Sequence, residues 1–377
     1  MEKKIWFVLN TRFPTEKAYG VTTGMTARAV NEISGFQSCV ITPQSDLNEE
    51  SSVESIEVKM PLSRIYNHLF QSRYFSKAAF VLWKFPYAMK VAIVIRKDCG
   101  VVWVRDVALA FLFRLLGFTT VCEIHRRTSV ILRLMLKWLG QQSRVTIVFI
   151  TERLRATVGI QVKSYVIFGM AVDKRDLNNS PKRINFDNLV VGYLGSSHSS
   201  GNLLTLDSFI NTASIALEKG WGINFQVVGI SRKEIDSKFQ NSIPPNIKFH
   251  GRVRRSEVFD LIDTFDIGTV VYPDTEYFQD SFPIKIAEYA ARKILILASD
   301  THAHRGILGD DKAFYFDPQA PLGFLEEIEF IRENPDIAIC VVENAFNWVK
   351  KSTYQARAAS VLNSLQNGGN ESSDFID

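Results

Sequence analysis

A succession of short apolar runs separated by helix-length segments constrains this chain more than any other feature. In the first half they are IWFVLN at 5–10, QSCVIT at 37–42, VESIEV at 53–58, VVWV at 101–104, TVCEI at 120–124, VTIVFI at 145–150 and SYVIF at 164–168. LVVGYLG at 189–195, NFQVVG at 224–229, NIKFHG at 246–251, DIGTVVYP at 266–273, ILILAS at 294–299 and AFYF at 313–316 follow in the second half. Runs that are apolar almost throughout read as strands covered on both faces, and strands alternating with helices assemble into parallel sheets. At 377 residues the chain is too long for one ordinary core. The expected class is therefore α/β, with two Rossmann-like domains. A polar, proline-bearing stretch, KRDLNNSPKRINFDN, places the boundary near 178–187. We expect an N-terminal domain at 1–178, a second domain at 188–340, terminal helices at 341–365 and a disordered tail at 366–377, where NGGNESSDFID has little apolar content.

The stretch DSFPIKIAEYAARKILILASD, residues 280–300, reads as an anion-binding turn, a short helix and a buried strand. Ser281, Phe282 and Pro283 suit a helix start, since serine caps free amides and proline is tolerated in the first turn. Ile284, Ala287, Glu288 and Ala291 then share neighbouring helical positions. First-turn amides around 281–284 favour phosphate, Lys285 adds a cation, and the Glu288 carboxylate suits two vicinal hydroxyls. Phosphate plus a sugar ring describes a nucleotide. A capped amphipathic helix with a solvent-facing acid fits the same residues.

This stretch resembles the donor-binding segment of retaining GT-B glycosyltransferases, the glycogen-synthase-like group that includes family 4-like enzymes of bacterial surface polysaccharide synthesis. In that group a Glu-x7-Glu pattern spans the turn and helix; here Asp280 stands first and Glu288 second. The resemblance implies that Asp280 faces the donor sugar and Glu288 the ribose. FHGRVRRSEVFDLIDTFDIGTVVYP ahead of it resembles the second GT-B domain, and PTEKAYGVTTG, with Gly20, resembles the first loop of the group, which lies near the donor. FGMAVD at 168–173 resembles the phrase that ends the first domain, and AFNWVKKSTYQARAASVL resembles the last helix, which crosses back to that domain. Gly20 also reads simply as a turn glycine. One departure stands out: after the strand at 189–194, where the group carries an Arg and a Lys-Gly, this chain has GSSHSSGN. Gly195, Ser196 and Ser197 then offer amides and hydroxyls without charge, with Lys285 and Arg252 or Arg12 as compensating cations.

His125 lies just past its strand, where open α/β sheets bind ligands, and an unperturbed imidazole titrates near neutrality. The resemblance makes it a catalytic-side residue with Asp280 and Glu288; a histidine capping the next helix is the alternative. Arg105 and Asp106, also past a strand, read as a structural ion pair.

Charge is unevenly distributed. Residues 1–180 carry 25 Lys+Arg against 14 Asp+Glu, and 181–377 carry 19 against 26. No acid occurs between Pro61 and Lys97, where basic residues alternate with Tyr66, Phe70, Tyr74, Phe75, Phe80, Trp83, Phe85 and Tyr87. A second acid-free run extends from Arg126 to Arg144. Such runs suit an anionic membrane surface; a solvated rim and, with no accompanying motif, nucleic acid are the alternatives. The four cysteines show no metal-ligand spacing and read as reduced, buried thiols. No window is apolar enough to span a membrane, and no signal core begins the sequence.

The resulting expectation is a retaining glycosyltransferase that moves a sugar from a nucleotide-diphosphate sugar to a glycan or lipid-linked acceptor. It would be cytoplasmic, peripheral on the inner face of the plasma membrane, without nucleic acid, cofactor or essential metal, since no Asp-x-Asp is present. The donor set is Gly20, Gly195, Ser196, Ser197, Arg252, Ser281, Phe282, Pro283, Ile284, Lys285 and Glu288. A catalytically impaired scaffold and a sugar-nucleotide epimerase are the competing readings.

Overall fold

The computed structural model describes residues 2–15, 18–43, 53–58, 76–95, 100–195, 202–239, 243–272, 275, 278–279, 282–318, 320, 322–367 and 371–372. Two compact units result, Met1–Gly169 with Thr353–Asp377, and Met170–Ser352.

In the first unit β1 (Lys3–Val8), α1 (Ala18–Asn31), β2 (Phe36–Thr42), β3 (Ser55–Glu57), α2 (Ser76–Ile95), β4 (Val101–Val104) and α3 (Val107–Leu115) are followed by β5 (Thr119–Ile124), α4 (Val130–Gly140), β6 (Val145–Phe149), α5 (Glu152–Val158) and β7 (Tyr165–Ile167). Asp106 caps α3 by accepting from the Leu109 amide at 3.0 Å. Thr151 does the same for α5, which Gly159 ends at φ +59°. The strands pair in parallel in the order β7-β6-β5-β4-β1-β2-β3, and Ile5, Val101, Val102, Ile147 and Val148 are fully buried among them. All seven apolar runs read in this half become strands whose ends lie within about two residues of the sequence reading, because apolar runs of this kind have few other places to go. Within the acid-free run between Pro61 and Lys97, residues 76–95 are described and helical.

The second unit runs β8 (Val190–Leu194), α6 (Asn202–Glu218), β9 (Asn224–Val228), α7 (Arg232–Phe239), β10 (Ile247–Gly251), α8 (Arg255–Ile262), β11 (Ile267–Val270), α9 (Ile284–Ala291), β12 (Leu295–Ser299), α10 (His302–Leu308), β13 (Phe314–Phe316), α11 (Gly323–Glu333) and α12 (Pro335–Val349). Its parallel sheet has the order β10-β9-β8-β11-β12-β13. Val191, Phe225, Ile267, Leu295 and Leu297 form the centre of its core. The chain then returns to the first unit as α13 (Tyr354–Asn367) and β14 (Glu371–Ser372).

The division falls at Gly169–Met170, ahead of the polar stretch at 178–187. That stretch is anchored to the second unit: Lys182 Nζ donates to the Asp263 and Phe265 carbonyls, and the Asn185 and Val190 amides donate to the Asp266 carboxylate. Helix α12 belongs to the second unit and α13 to the first. In the tail expected to be disordered, residues 371–372 instead pair in parallel with β7. Cys39 and Cys122 are buried as expected, whereas Cys340 is exposed and Cys99 lies outside the described residues.

Two strand glycines set the packing of the second sheet. A Cβ on Gly192 would lie 1.9 Å from the Phe265 ring, and one on Gly268 would lie 2.6 Å from Tyr289. Gly192→Ala is therefore expected to destabilise the protein by about 1–3 kcal/mol through overpacking. A denaturant titration showing wild-type stability would mean that Phe265 swings aside freely.

Candidate functional site

In the second unit the chain leaves β8 toward β9 and β10 on one side and resumes at β11 on the other, so the topological switch point lies between β8 and β11. Crevices at the carboxyl ends of strands flanking such a point are where open α/β sheets bind ligands. Glycines finish three neighbouring strands here. Gly229, at φ +96°, stands where a Cβ would come within 2.0 Å of the Gly195 carbonyl, its amide donates to Gly251 O at 2.7 Å, and the Gly195 amide donates to Val228 O at 3.0 Å. The strand ends thus present bare backbone.

Helix α9 brings side chains to the switch point. Pro283 is its N-cap residue, with no side-chain cap, and its carbonyl accepts from the Ile286 amide at 3.1 Å. Lys285 is buried, its ammonium 4.5 Å from the Tyr193 ring centroid and 5.2 Å from that of Tyr272. Tyr193 lies on β8 and Tyr272 just beyond β11, so the cation sits over the two strands that flank the switch point. Burial drives the Lys285 pKa down to about 7, against an opposing pull from Glu288. Tyr289 Oη accepts from the Leu194 amide at 3.1 Å, fixing the end of β8.

Glu288 is 2% exposed. Its Oε1 forms an ion pair with Arg255, the first residue of α8. Its partner is therefore Arg255 rather than solvent. Arg252, the cation expected at the donor, is instead exposed and paired with Glu234 at 2.8 Å. Arg255 was missed because RVRRSE offers three arginines and only the geometry of the strand-to-helix turn selects among them.

A second set of residues, also unanticipated, fixes Tyr272. Ser299 Oγ accepts from the Tyr272 amide at 3.0 Å and donates to the Tyr272 carbonyl at 2.8 Å. His304 Nδ1 donates to the Ser299 carbonyl at 2.8 Å. The sequence signal was the polar THAH following a buried strand. Phe282 stacks on Trp348, with ring centroids 6.4 Å apart. Ile284 opens α9. Asp280, Ser281, Ser196 and Ser197 lie outside the described residues.

In the first unit the chain order puts the switch point between β1 and β4. Gly20 does not sit in a loop: it lies in the first turn of α1, where its hydrogen faces Thr15 and a Cβ would come within 2.3 Å of that side chain. Asp106 pairs with Lys84 at 2.7 Å, not with Arg105 as expected, because its capping of α3 turns it away.

Arg105 goes instead to Glu123, the centre of the cluster that contains His125. Glu123 Oε1 accepts from Trp103 Nε1 and Arg357 Nη2, both at 2.7 Å. Its Oε2 accepts from Arg105 Nε and His125 Nε2, both at 2.8 Å. Arg357 comes from α13 and is wholly buried. The two arginines and the histidine hold the Glu123 carboxyl well below the usual range despite its burial. His125 does not titrate near neutrality as expected: burial and the charge of Arg105 bring it down to about 4. At neutral pH its ring is thus uncharged, with Nε2–H given to Glu123 and Nδ1 left as an acceptor. Among the described residues no group of three His, Cys, Asp or Glu is placed to hold a metal ion.

Two parallel-sheet Rossmann-like units, with the chain returning to the first at its end, define the GT-B fold. Solved structures share it along nearly the whole chain. Sucrose-phosphate synthase from Thermosynechococcus elongatus superposes with a TM-score of 0.70 at 11% identity, covering 97% of this chain and 98% of that one. A glycosyltransferase from Rickettsia africae gives 0.71 at 15% identity, with 97% and 98% covered. The Anabaena protein HepE, solved with UDP and glucose, gives 0.68 at 13% identity, with 96% and 100% covered. Residues 188–334, within the second unit, match the family model described as Glycosyl transferases group 1. A comparison with curated proteins finds no match.

Proposed function

We propose that this protein is a glycosyltransferase that takes a sugar from a nucleotide-diphosphate sugar and passes it, with retention, to a glycan or lipid-linked acceptor in cell-surface polysaccharide synthesis. The observation that carries the reading is the placement of Lys285 over the β8/β11 switch point, with Glu288 buried one turn on along the same helix, inside the segment that matches the glycosyltransferase model.

The α9 amides and Lys285 receive the diphosphate, and Glu288 receives the ribose hydroxyls. Arg255 engages Oε1 of Glu288 and so orients the carboxylate. When the sugar–phosphate bond breaks, negative charge grows on the leaving diphosphate, and a buried ammonium with helix amides stabilises it more strongly there than water would. Asp280 faces the donor sugar, with Gly195, Ser196, Ser197, Ser281, Phe282 and Pro283 around the diphosphate. His125 contributes Nδ1 as an acceptor for a sugar or acceptor hydroxyl. Supporting a peripheral location on the inner face of the plasma membrane are the acid-free basic and aromatic runs of the first half.

The test is hydrolysis of UDP-, GDP-, ADP- and dTDP-sugars, alone and with membrane extract, with the anomeric configuration of the product read by NMR. Release of one nucleotide, stimulated by extract and unaffected by a chelator, is expected. Silence across the panel with no thermal shift by any nucleotide would replace the enzyme with a scaffold.

Lys285 yields a further expectation. With its pKa near 7, it is mostly neutral at pH 8, and a bound diphosphate raises that pKa by favouring the charged form. Nucleoside diphosphate binding at pH 8 should therefore take up close to one proton, read by calorimetry in buffers of different ionisation enthalpy. Lys285→Met should abolish the uptake; uptake unchanged in this variant would place the proton elsewhere.

A further inference from the structure

Helices α2, α3 and α4 are neighbours, α3 packing against both of the others. Each leaves large apolar side chains in solvent. Phe85 and Ile93 on α2, Leu115 on α3, and Val130, Ile131 and Leu134 on α4 are all more than half exposed. The spacing is regular: Phe85, Met89 and Ile93 recur every four residues along α2, and Val130, Leu134 and Trp138 along α4, so each helix presents a stripe. Phe111 and Trp138, with ring centroids 5.0 Å apart, bridge α3 and α4. Soluble proteins seldom leave so many large apolar groups together without something to cover them.

The charge on the same helices says what covers them. None of the three contains an Asp or Glu, whereas Lys90, Arg133 and Lys137 stand exposed beside the stripes. The acid-free composition continues through Arg126 and Arg127 ahead of α4 and through residues 61–75 ahead of α2. A second copy docked face to face would set cations against cations with no acid to neutralise them. Nucleic acid would meet the charge but would have no use for exposed isoleucine and leucine. A bilayer interface of anionic lipid satisfies both, taking the apolar stripes at the acyl boundary while lysine and arginine reach up to phosphate headgroups. Among the described residues no helix is long and apolar enough to cross a membrane, and stripes interleaved with lysine and arginine suit a helix lying in the interface plane.

We infer that the α2–α3–α4 face of the first unit is a docking surface for anionic lipid, with the α4 stripe inserted into the interface. This deepens the acceptor side of the proposed function by specifying the surface that meets the membrane, and it rests on that reading only for its purpose.

The experiment is sedimentation of the full chain with vesicles of phosphatidylcholine alone and of phosphatidylcholine with phosphatidylglycerol. Wild type is expected to pellet with the anionic vesicles, and salt near 0.5 M should weaken this by screening. The double variant Ile131→Ser with Leu134→Ser and the charge variant Arg133→Glu with Lys137→Glu should each bind about tenfold more weakly, while melting and nucleotide binding stay as in wild type. The positions are exposed, so the substitutions leave the core untouched. Wild type that stays in the supernatant with anionic vesicles at low salt overturns the proposal. So does sedimentation velocity showing a dimer that the serine variant dissociates, which would make the face a contact between copies. Because pelleting needs no turnover, vesicle binding without donor hydrolysis would sink the transferase reading and leave this one standing.

Discussion

Glu123→Ala is expected to destabilise the protein by about 3–5 kcal/mol, the range for breaking a buried ion pair from one side. Arg357 is wholly buried, and among the described residues its Nε and Nη1 have no partner, so its charge is compensated by Glu123. Removing the carboxylate strands that guanidinium, frees Arg105 and leaves Trp103 Nε1 unsatisfied. Glu123→Gln should recover only part of the loss, because it restores size and one acceptor but no charge. The same cluster sets an acid limit. His125 has a folded pKa of about 4 against 6.5 unfolded, so between those values the unfolded chain binds the extra proton and stability falls as pH drops. Glu123, held low by its cations, acts in the same sense at still lower pH. Denaturant titrations at pH 7.5 and 4.5 check both points. A Glu123→Ala protein within about 0.5 kcal/mol of wild type, or equal stability at the two pH values, would show that the cluster is not a structural centre.

The largest effect on activity is expected at Glu288. Hydrogen bonds to a charged group are worth about 1.5–3 kcal/mol each, and a carboxylate gripping vicinal ribose hydroxyls makes two. Glu288→Gln loses the charge and one acceptor, so kcat/KM for the donor should fall about 100-fold. Arg255→Ala should act through Glu288: about tenfold, appearing in KM more than kcat, since it loosens an orientation and removes no contact to the reacting bond. Melting measured alongside separates folding from function. Glu288→Gln with wild-type kcat/KM and wild-type melting would remove this helix from the donor site.

Strand positions were legible because fully apolar segments can only lie between layers of helices. Partnerships were not. The residues that fix Glu123 are Trp103, Arg105, His125 and Arg357, the last of them 234 positions away, and nothing local in CEIHRRTS distinguishes an acid that organises a core from one facing water. His125 was found from its place at a strand end, but its ionisation depends on burial and on Arg105, which spacing does not encode. Arg252 and Arg255 differ by three positions across a strand-to-helix turn; that turn gives one to Glu234 and the other to Glu288. The polar stretch at 178–187 looked like a linker by composition, yet its Asn185 amide is bound to a β11 neighbour, Asp266, and its Lys182 to nearby carbonyls.

The first unit is drawn from two stretches of chain that flank the contiguous second unit. During synthesis residues 170–352 emerge with every element of their own sheet, whereas the earlier sheet still lacks α13, β14 and Arg357. Until then Glu123 and Arg105 must wait beneath a missing helix. Contacts of such long sequence separation form late, since loop closure must precede any gain from them. The half translated first is thus the half finished last, and its incomplete core stays exposed through the synthesis of the other.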